Sequence, residues 1–245
     1  FILLGARVFS LSFYGVDGHK WVEHLLVGLP GGQMGFLIVV SVLMGIASDN
    51  FFSLSNIMNV LRQVSVVGIL AVGMTFVILT GGIDLSVGAV MALVGTLATG
   101  MMVNMGLPAP LALLIGLFIG LGIGLANGVL VAWGKMPAII VTLATMGMAR
   151  GLGLIYSGGY PISGIPSWIS WFGVGRIGFV PVPVIIMIII YAVAWVLLQR
   201  TPFGRHVYAL GGNETAARLS GVKTQRVKLA VYGISGLTAA LAAVI

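Results

Sequence analysis

One stretch, RTPFGRHVYALGGNETAARLSGVKTQRVK from Arg200 to Lys228, is the only long polar segment of the chain. It holds six of the 12 Lys and Arg residues (Arg200, Arg205, Arg218, Lys223, Arg226, Lys228) and one of the five acids, Glu214. Everything else is so apolar that 59% of the 245 residues are hydrophobic and 7% charged. A soluble domain carries about 25% charged residues. Such a chain cannot cover a water-facing surface, so it must cross a lipid bilayer several times. The predicted fold is all-α, a polytopic transmembrane bundle of about seven helices.

A span needs about 20 apolar residues. The first is expected near Gln33–Ala47. Asp49–Gln63 (DNFFSLSNIMNVLRQ) follows, with Ile57, Val60, Leu61 and Val64 at helical spacing; that pattern predicts a short helix lying in the interface. Further spans are expected at Val64–Thr80, Leu85–Val103, Leu111–Trp133, Ala138–Tyr156 and Val184–Leu198. A last one starts at Leu229. Ser157–Pro183, rich in Gly, Pro and Ser, reads as a loop with interfacial Trp168 and Trp171. Residues 33–245 form the expected membrane domain, with 200–228 as its polar loop. Residues 1–32 have no assigned role. The chain begins with Phe and stops at Ile245 inside an apolar run, so a fragment is expected.

Basic residues collect in cytoplasmic loops, so the net charge of +7 does not point to nucleic acid. Placing Arg200–Lys228 in the cytoplasm also puts Arg7, Lys20 and Lys135 inside. Only Arg62, Arg150 and Arg176 are then left outside. The opposite orientation reverses that ratio. The N-terminus is therefore expected in the cytoplasm, and Arg150 is expected to snorkel from its helix to the interface.

No cofactor is expected. The chain has no Cys, and its three His residues (His19, His24, His206) are scattered, so no metal cluster is anticipated. No Walker-type phosphate loop occurs, and no nucleophile–base–acid set suggests an enzyme.

Four positions recur every four residues: Gly116, Gly120, Gly124 and Gly128. They stack on one helix face and allow a second backbone to approach closely. That face either packs statically or rocks during transport. Asn127 lies on roughly the same side and, once buried, must hydrogen-bond. It either glues helices together or touches a substrate. Asp84 in TGGIDLSVG is the only acid near membrane depth. Intramembrane carboxylates are costly and often functional. Asp84 can equally cap the N–H of Ser86 or Val87 at the start of a helix. Thr75, Thr142 and Thr145 could line a polar path or simply bond their own backbone.

Within the polar loop, Gly211–Gly221 carries the signals of a complete short helix. Asn213 is a good N-cap. Glu214 suits the first turn, and Glu214–Arg218 is an i,i+4 pair. Gly221 suits the stop. A helix this short is marginal alone, since roughly 12–15 residues are needed in water. It must dock, either on its own membrane domain or on a partner.

Three segments, in order, carry a resemblance: VGMTFVILTGGIDLSVGAVMAL (Val72–Leu93), LANGVLVAWGKMPAIIVTLATMGMARG (Leu125–Gly151) and TPFGRHVYALGGNETAARLSGV (Thr201–Val222). Together they resemble the inner-membrane permeases of bacterial ABC importers for monosaccharides, with the ribose-type permeases nearest. The resemblance implies a dimer of permeases, a cytoplasmic ATPase subunit and a periplasmic sugar-binding protein. It implies that Gly211, Gly212, Asn213, Glu214, Ala216, Ala217, Arg218 and Gly221 form the ATPase-coupling segment. Asp84, Asn127, Thr142 and Thr145 then become candidates for the substrate path. The family continues beyond the position of Ile245 with further helices, and residues 1–32 do not match its usual N-terminus. The competing expectation is an ion-coupled secondary transporter with Asp84 as carrier.

Overall fold

The computed structural model describes residues 12, 14–18, 20 and 32–245. Most of 1–32 lies outside the described residues. Residues 32–245 fold into helices α1 (Gly32–Ala47), α2 (Leu54–Leu79), α3 (Val87–Val103), α4 (Ala109–Ala132), α5 (Ala138–Ser157) and α6 (Ser167–Val174). A two-stranded hairpin follows, β1 (Arg176–Ile177) and β2 (Val180–Pro181). The chain then forms α7 (Val182–Arg200), α8 (Pro202–Gly212), α9 (Glu214–Leu219) and α10 (Thr224–Ala242). It divides into two compact units, Phe1–Ile57 and Met58–Ile245.

The seven expected spans correspond to α1 to α5, α7 and α10. Helices α2, α4, α5 and α7 are each long and apolar enough to cross a membrane. The chain is a multi-pass membrane protein. The expected interfacial helix before α2 does not exist as a separate element. Leu54 onward is helical without a break through Leu79. No Gly or Pro interrupts Leu54–Val67, so nothing opens the backbone ladder there. At about 1.5 Å per residue, its 26 residues reach about 39 Å, longer than the hydrocarbon core.

The expected loop 157–183 contains structure as well. Pro166 precedes α6, and Gly178, at φ 61°, makes the tight turn of the β1–β2 hairpin. The last span starts at Thr224, not Leu229, so Arg226 and Lys228 ride on its first turns.

Helix α10 is the centre of the Met58–Ile245 unit. Its most extensive packing is on α4, and it also meets α3. The close approach follows from glycine on both sides. A Cβ on Gly120 would meet Ala240 Cβ at 2.6 Å and the Gly236 carbonyl oxygen at 2.7 Å. One on Gly124 would strike the Tyr232 carbonyl oxygen, and one on Gly128 would reach Leu229 Cα at 3.0 Å. Gly116 instead faces Val94 of α3. Small side chains let dispersion contacts form backbone to backbone, which stabilises helix pairs where lipid supplies no hydrophobic drive. A second cluster, including Phe76, Val207, Leu210 and Tyr232, holds α8 against α2 and α10. Phe76 stacks on Phe203 with ring centroids 6.2 Å apart.

Candidate functional site

The turn between α2 and α3 enters the bundle interior. Gly81 takes φ 75°, a left-handed conformation that favours glycine, and the chain reverses through Gly82. Asp84 follows, 2% exposed. Its Oδ1 accepts from the backbone N–H of Ser86 at 2.9 Å and from the Ser86 hydroxyl at 2.6 Å. Its Oδ2 accepts from the Ser235 hydroxyl on α10 at 2.7 Å. The residue at the N-cap position is Ser86, so Asp84 holds the approach to α3 from two residues upstream. Both Ser86 and Ser235 are buried.

The network continues sideways. Asn127 of α4 donates from Nδ2 to Ser86 Oγ at 3.2 Å. Its Oδ1 accepts from the Thr145 hydroxyl of α5 at 2.6 Å. The chain of donors therefore runs Thr145 to Asn127 to Ser86 to Asp84. Every link points towards the carboxylate. Several donors thus replace the hydration that this carboxyl group loses on burial. Thr142 departs from this pattern, donating to Ala138 O of its own helix at 2.8 Å with a longer contact to Ile83 O at 3.4 Å. Thr75 is exposed and bonds Ala71 O. Chemically, the network ties the α2–α3 turn, α4, α5 and α10 into one hydrogen-bonded knot.

The polar loop folds into two capped helices. Thr201 starts α8 by accepting from Gly204 N–H at 3.3 Å. Asn213 starts α9 by accepting from Ala216 N–H at 2.9 Å. At the other end, Gly221 N–H reaches Arg218 O and Val222 N–H reaches Ala217 O, each at 3.0 Å. With Gly221 at φ 87°, that is a Schellman stop. Ala217 is buried; Thr215, Arg218 and Leu219 face outward, with Leu219 82% exposed.

The expected Glu214–Arg218 pair is replaced. Glu214 instead takes Lys228 of α10, with Nζ 2.7 Å from Oε1 and 2.8 Å from Oε2. The reason is tertiary: α10 begins early enough to bring Lys228 over the start of α9.

Gly211 and Gly212 part company. Gly212 has open space where a side chain would be. A Cβ on Gly211 would collide with the Leu79 carbonyl oxygen at the end of α2. The α8–α9 segment thus rests directly on the turn that leads to Asp84. A cleft of about 470 Å³ lies beside this contact. Gly81, Gly82, Lys135, Arg218, Lys228 and Tyr232 are among its walls.

Comparison with known proteins matches residues 56–245 to the family described as the permease component of the branched-chain amino acid transport system. This chain belongs to that permease family. It is 50% identical over 217 residues to a ribose import permease of Bacillus subtilis, covering 88% of the chain and 67% of that protein. It is 45% identical over 213 residues to the ribose import permease of Escherichia coli K12, covering 85% and 66%. An autoinducer 2 import permease of Photorhabdus laumondii is 37% identical over 218 residues, covering 85% and 63%. The chain therefore spans about two thirds of the length of these relatives. No solved structure matches it.

The backbone N–H of Ser86 was expected to bond Asp84, and its hydroxyl does so as well. Two other residues carry less of a signal in the sequence. Ser235 had none; its bond to Asp84 spans 151 positions. Gly236 sits in a helix with no repeating glycine pattern, yet it is the α10 partner of Gly120 and Gly124.

Proposed function

We propose that this chain is the membrane-spanning permease subunit of an ATP-driven importer that carries a ribose-type monosaccharide across the bacterial inner membrane. The observation that carries this reading is the 50% identity, over most of the chain, to a ribose import permease. Relatives with another printed cargo stand lower, at 37%. On this reading the chain pairs with a second permease copy in the lipid bilayer. It takes sugar from a periplasmic binding protein and is driven by a cytoplasmic ATPase subunit. The N-terminus and the α8–α9 segment lie on the cytoplasmic side.

The geometry supplies a physical path for the drive. The ATPase grips the exposed face of α9, where Arg218 and Leu219 project. Force passes from α9 into α8. At Gly211 it reaches the end of α2 with no side chain to cushion it. The α2–α3 turn then moves against the Asp84 knot, which holds α4, α5 and α10. Asp84 is a positioning residue in this scheme. As an ion carrier it would have to shed three donors first, and no observation supports that role.

Affinity purification from native membranes tests the class directly. An ATPase subunit and a periplasmic sugar-binding protein are expected to co-purify; recovery of neither sinks the proposal. In vesicles, uptake of ribose should require ATP. Arg218→Ala should reduce it more than about tenfold without changing the amount of folded permease, as expected for a contact group at a partner interface. Uptake that persists without ATP and stops in Asp84→Asn would instead establish ion coupling.

A further inference from the structure

A groove between α3 and α5 is used by neither the knot nor the coupling segment. Its volume is about 400 Å³, and small residues open it: Gly88 and Ala92 from α3, Ala149 and Gly153 from α5. One end begins at Leu85, beside the Asp84 knot. The other end meets a second hollow of about 250 Å³, and the two share Thr96 and Ser157. Thr99 and Tyr160 extend this end, so hydroxyls gather there.

Arg150 lines the same groove. It lies seven residues, about 10 Å at 1.5 Å per residue, inside the α5 end at Ser157. Arg150 is exposed, and among the described residues no carboxylate pairs with it. A charge inside a membrane helix is costly against lipid, and such residues face water-filled cavities or partners. Snorkelling alone does not account for the hydroxyls that share the groove with it, Thr96 of α3 and Ser157 of α5. Thr96 donates its hydroxyl proton to Ala92 O at 2.8 Å, which leaves its oxygen free to accept. A donor from Arg150 and acceptors from Thr96 of α3 and Ser157 of α5 along one groove match a ligand rich in hydroxyls and without charge.

We infer that the α3–α5 groove is one wall of a water-filled sugar path, and that Arg150 holds a neutral polyol there together with Thr96 and Ser157. The guanidinium fork donates to neighbouring sugar oxygens; the threonine and serine oxygens accept in return. Selectivity for one sugar is not required of so open a wall. This inference rests on the reading of the chain as a sugar permease subunit.

The chain contains no Cys, so single cysteines can be introduced into the natural sequence. Thr96→Cys, Gly153→Cys and Ser157→Cys are compared with Ile155→Cys, whose native side chain is 80% exposed but does not line the groove. Each is labelled by a membrane-impermeant maleimide in the transporter assembled with its ATPase and binding protein. Thiols react as thiolates, which require water. The groove positions should label more than about tenfold faster than Ile155→Cys, and saturating ribose should slow them several-fold. Arg150→Met should cut ribose uptake about tenfold or more while the ATPase still co-purifies, and Arg150→Lys should recover part of it. Groove cysteines as inert as Ile155→Cys, or wild-type uptake in Arg150→Met, would overturn the inference and leave the permease reading standing. If the unaltered assembly moves no sugar, the permease reading itself fails; a wet groove in that case overturns the polyol assignment.

Discussion

The Asp84 knot and the α9 segment both solve the problem of placing polar groups in an apolar molecule, and they solve it in opposite ways. Around α9 the partners are neighbours in sequence. Asn213 caps Ala216, and Gly221 ends the helix three residues after Arg218. The exposed backbone can fall back on water, so each bond contributes only about 1 kcal/mol. In the knot the partners come from four elements, and every one of them is buried. Asp84 is 2% exposed and Ser235 is fully buried, so a lost partner leaves an unsatisfied group at full cost. The comparison teaches that the same amino-acid chemistry is a local stop signal at the surface and a global fastener inside. Gly211 on Leu79 is where the two regimes touch.

The sharpest way to break the contrast is Asp84→Ala. It strands three donors, each worth about 1–3 kcal/mol when buried, and should lower the melting midpoint in detergent so far that little folded permease is recovered. A midpoint within a few degrees of wild type would mean the knot is not a fastener. Gly211→Ala comes next. Its methyl has no room against the Leu79 carbonyl, so a loss of about 1–3 kcal/mol is expected, whereas Gly212→Ala should cost little. Paired melting curves of the two variants would separate the buried from the open glycine. Asn213→Ala should cost about 1 kcal/mol and Asn213→Asp almost nothing, since aspartate caps equally well. Equal losses for both would show that the cap does not hold α9. The smallest effect belongs to Lys228→Met. The pair with Glu214 is half open to solvent on the acid side, and removing it should change stability by about 0–1 kcal/mol, less still in high salt.

Local chemistry made much of this legible beforehand. The seven apolar runs, the caps at Asn213 and Gly221 and the glycine ladder on α4 follow from spacing alone. Asp84 was visible as an acid at membrane depth, with capping open as an alternative to transport. The misses have a common cause. The polar residues Asn59, Arg62 and Gln63 argue locally for an interfacial helix, but an unbroken backbone ladder carries α2 straight through them. Glu214 and Arg218 are correctly spaced for each other, yet Lys228 is nearer once α10 folds down.

The sequence by itself determined that this protein is a helical membrane bundle, because continuous apolar runs of about 20 residues satisfy their backbone in lipid as helices, whereas barrel strands alternate and are shorter. It also determined where short helices stop, since those groups find partners within four residues. Only the tertiary structure decided who Asp84, Glu214 and Gly211 meet. Those contacts depend on which helix faces lie together. Small residues on both sides of the α4–α10 contact set that; the α4 ladder is legible from its spacing, but its partners on α10 are not.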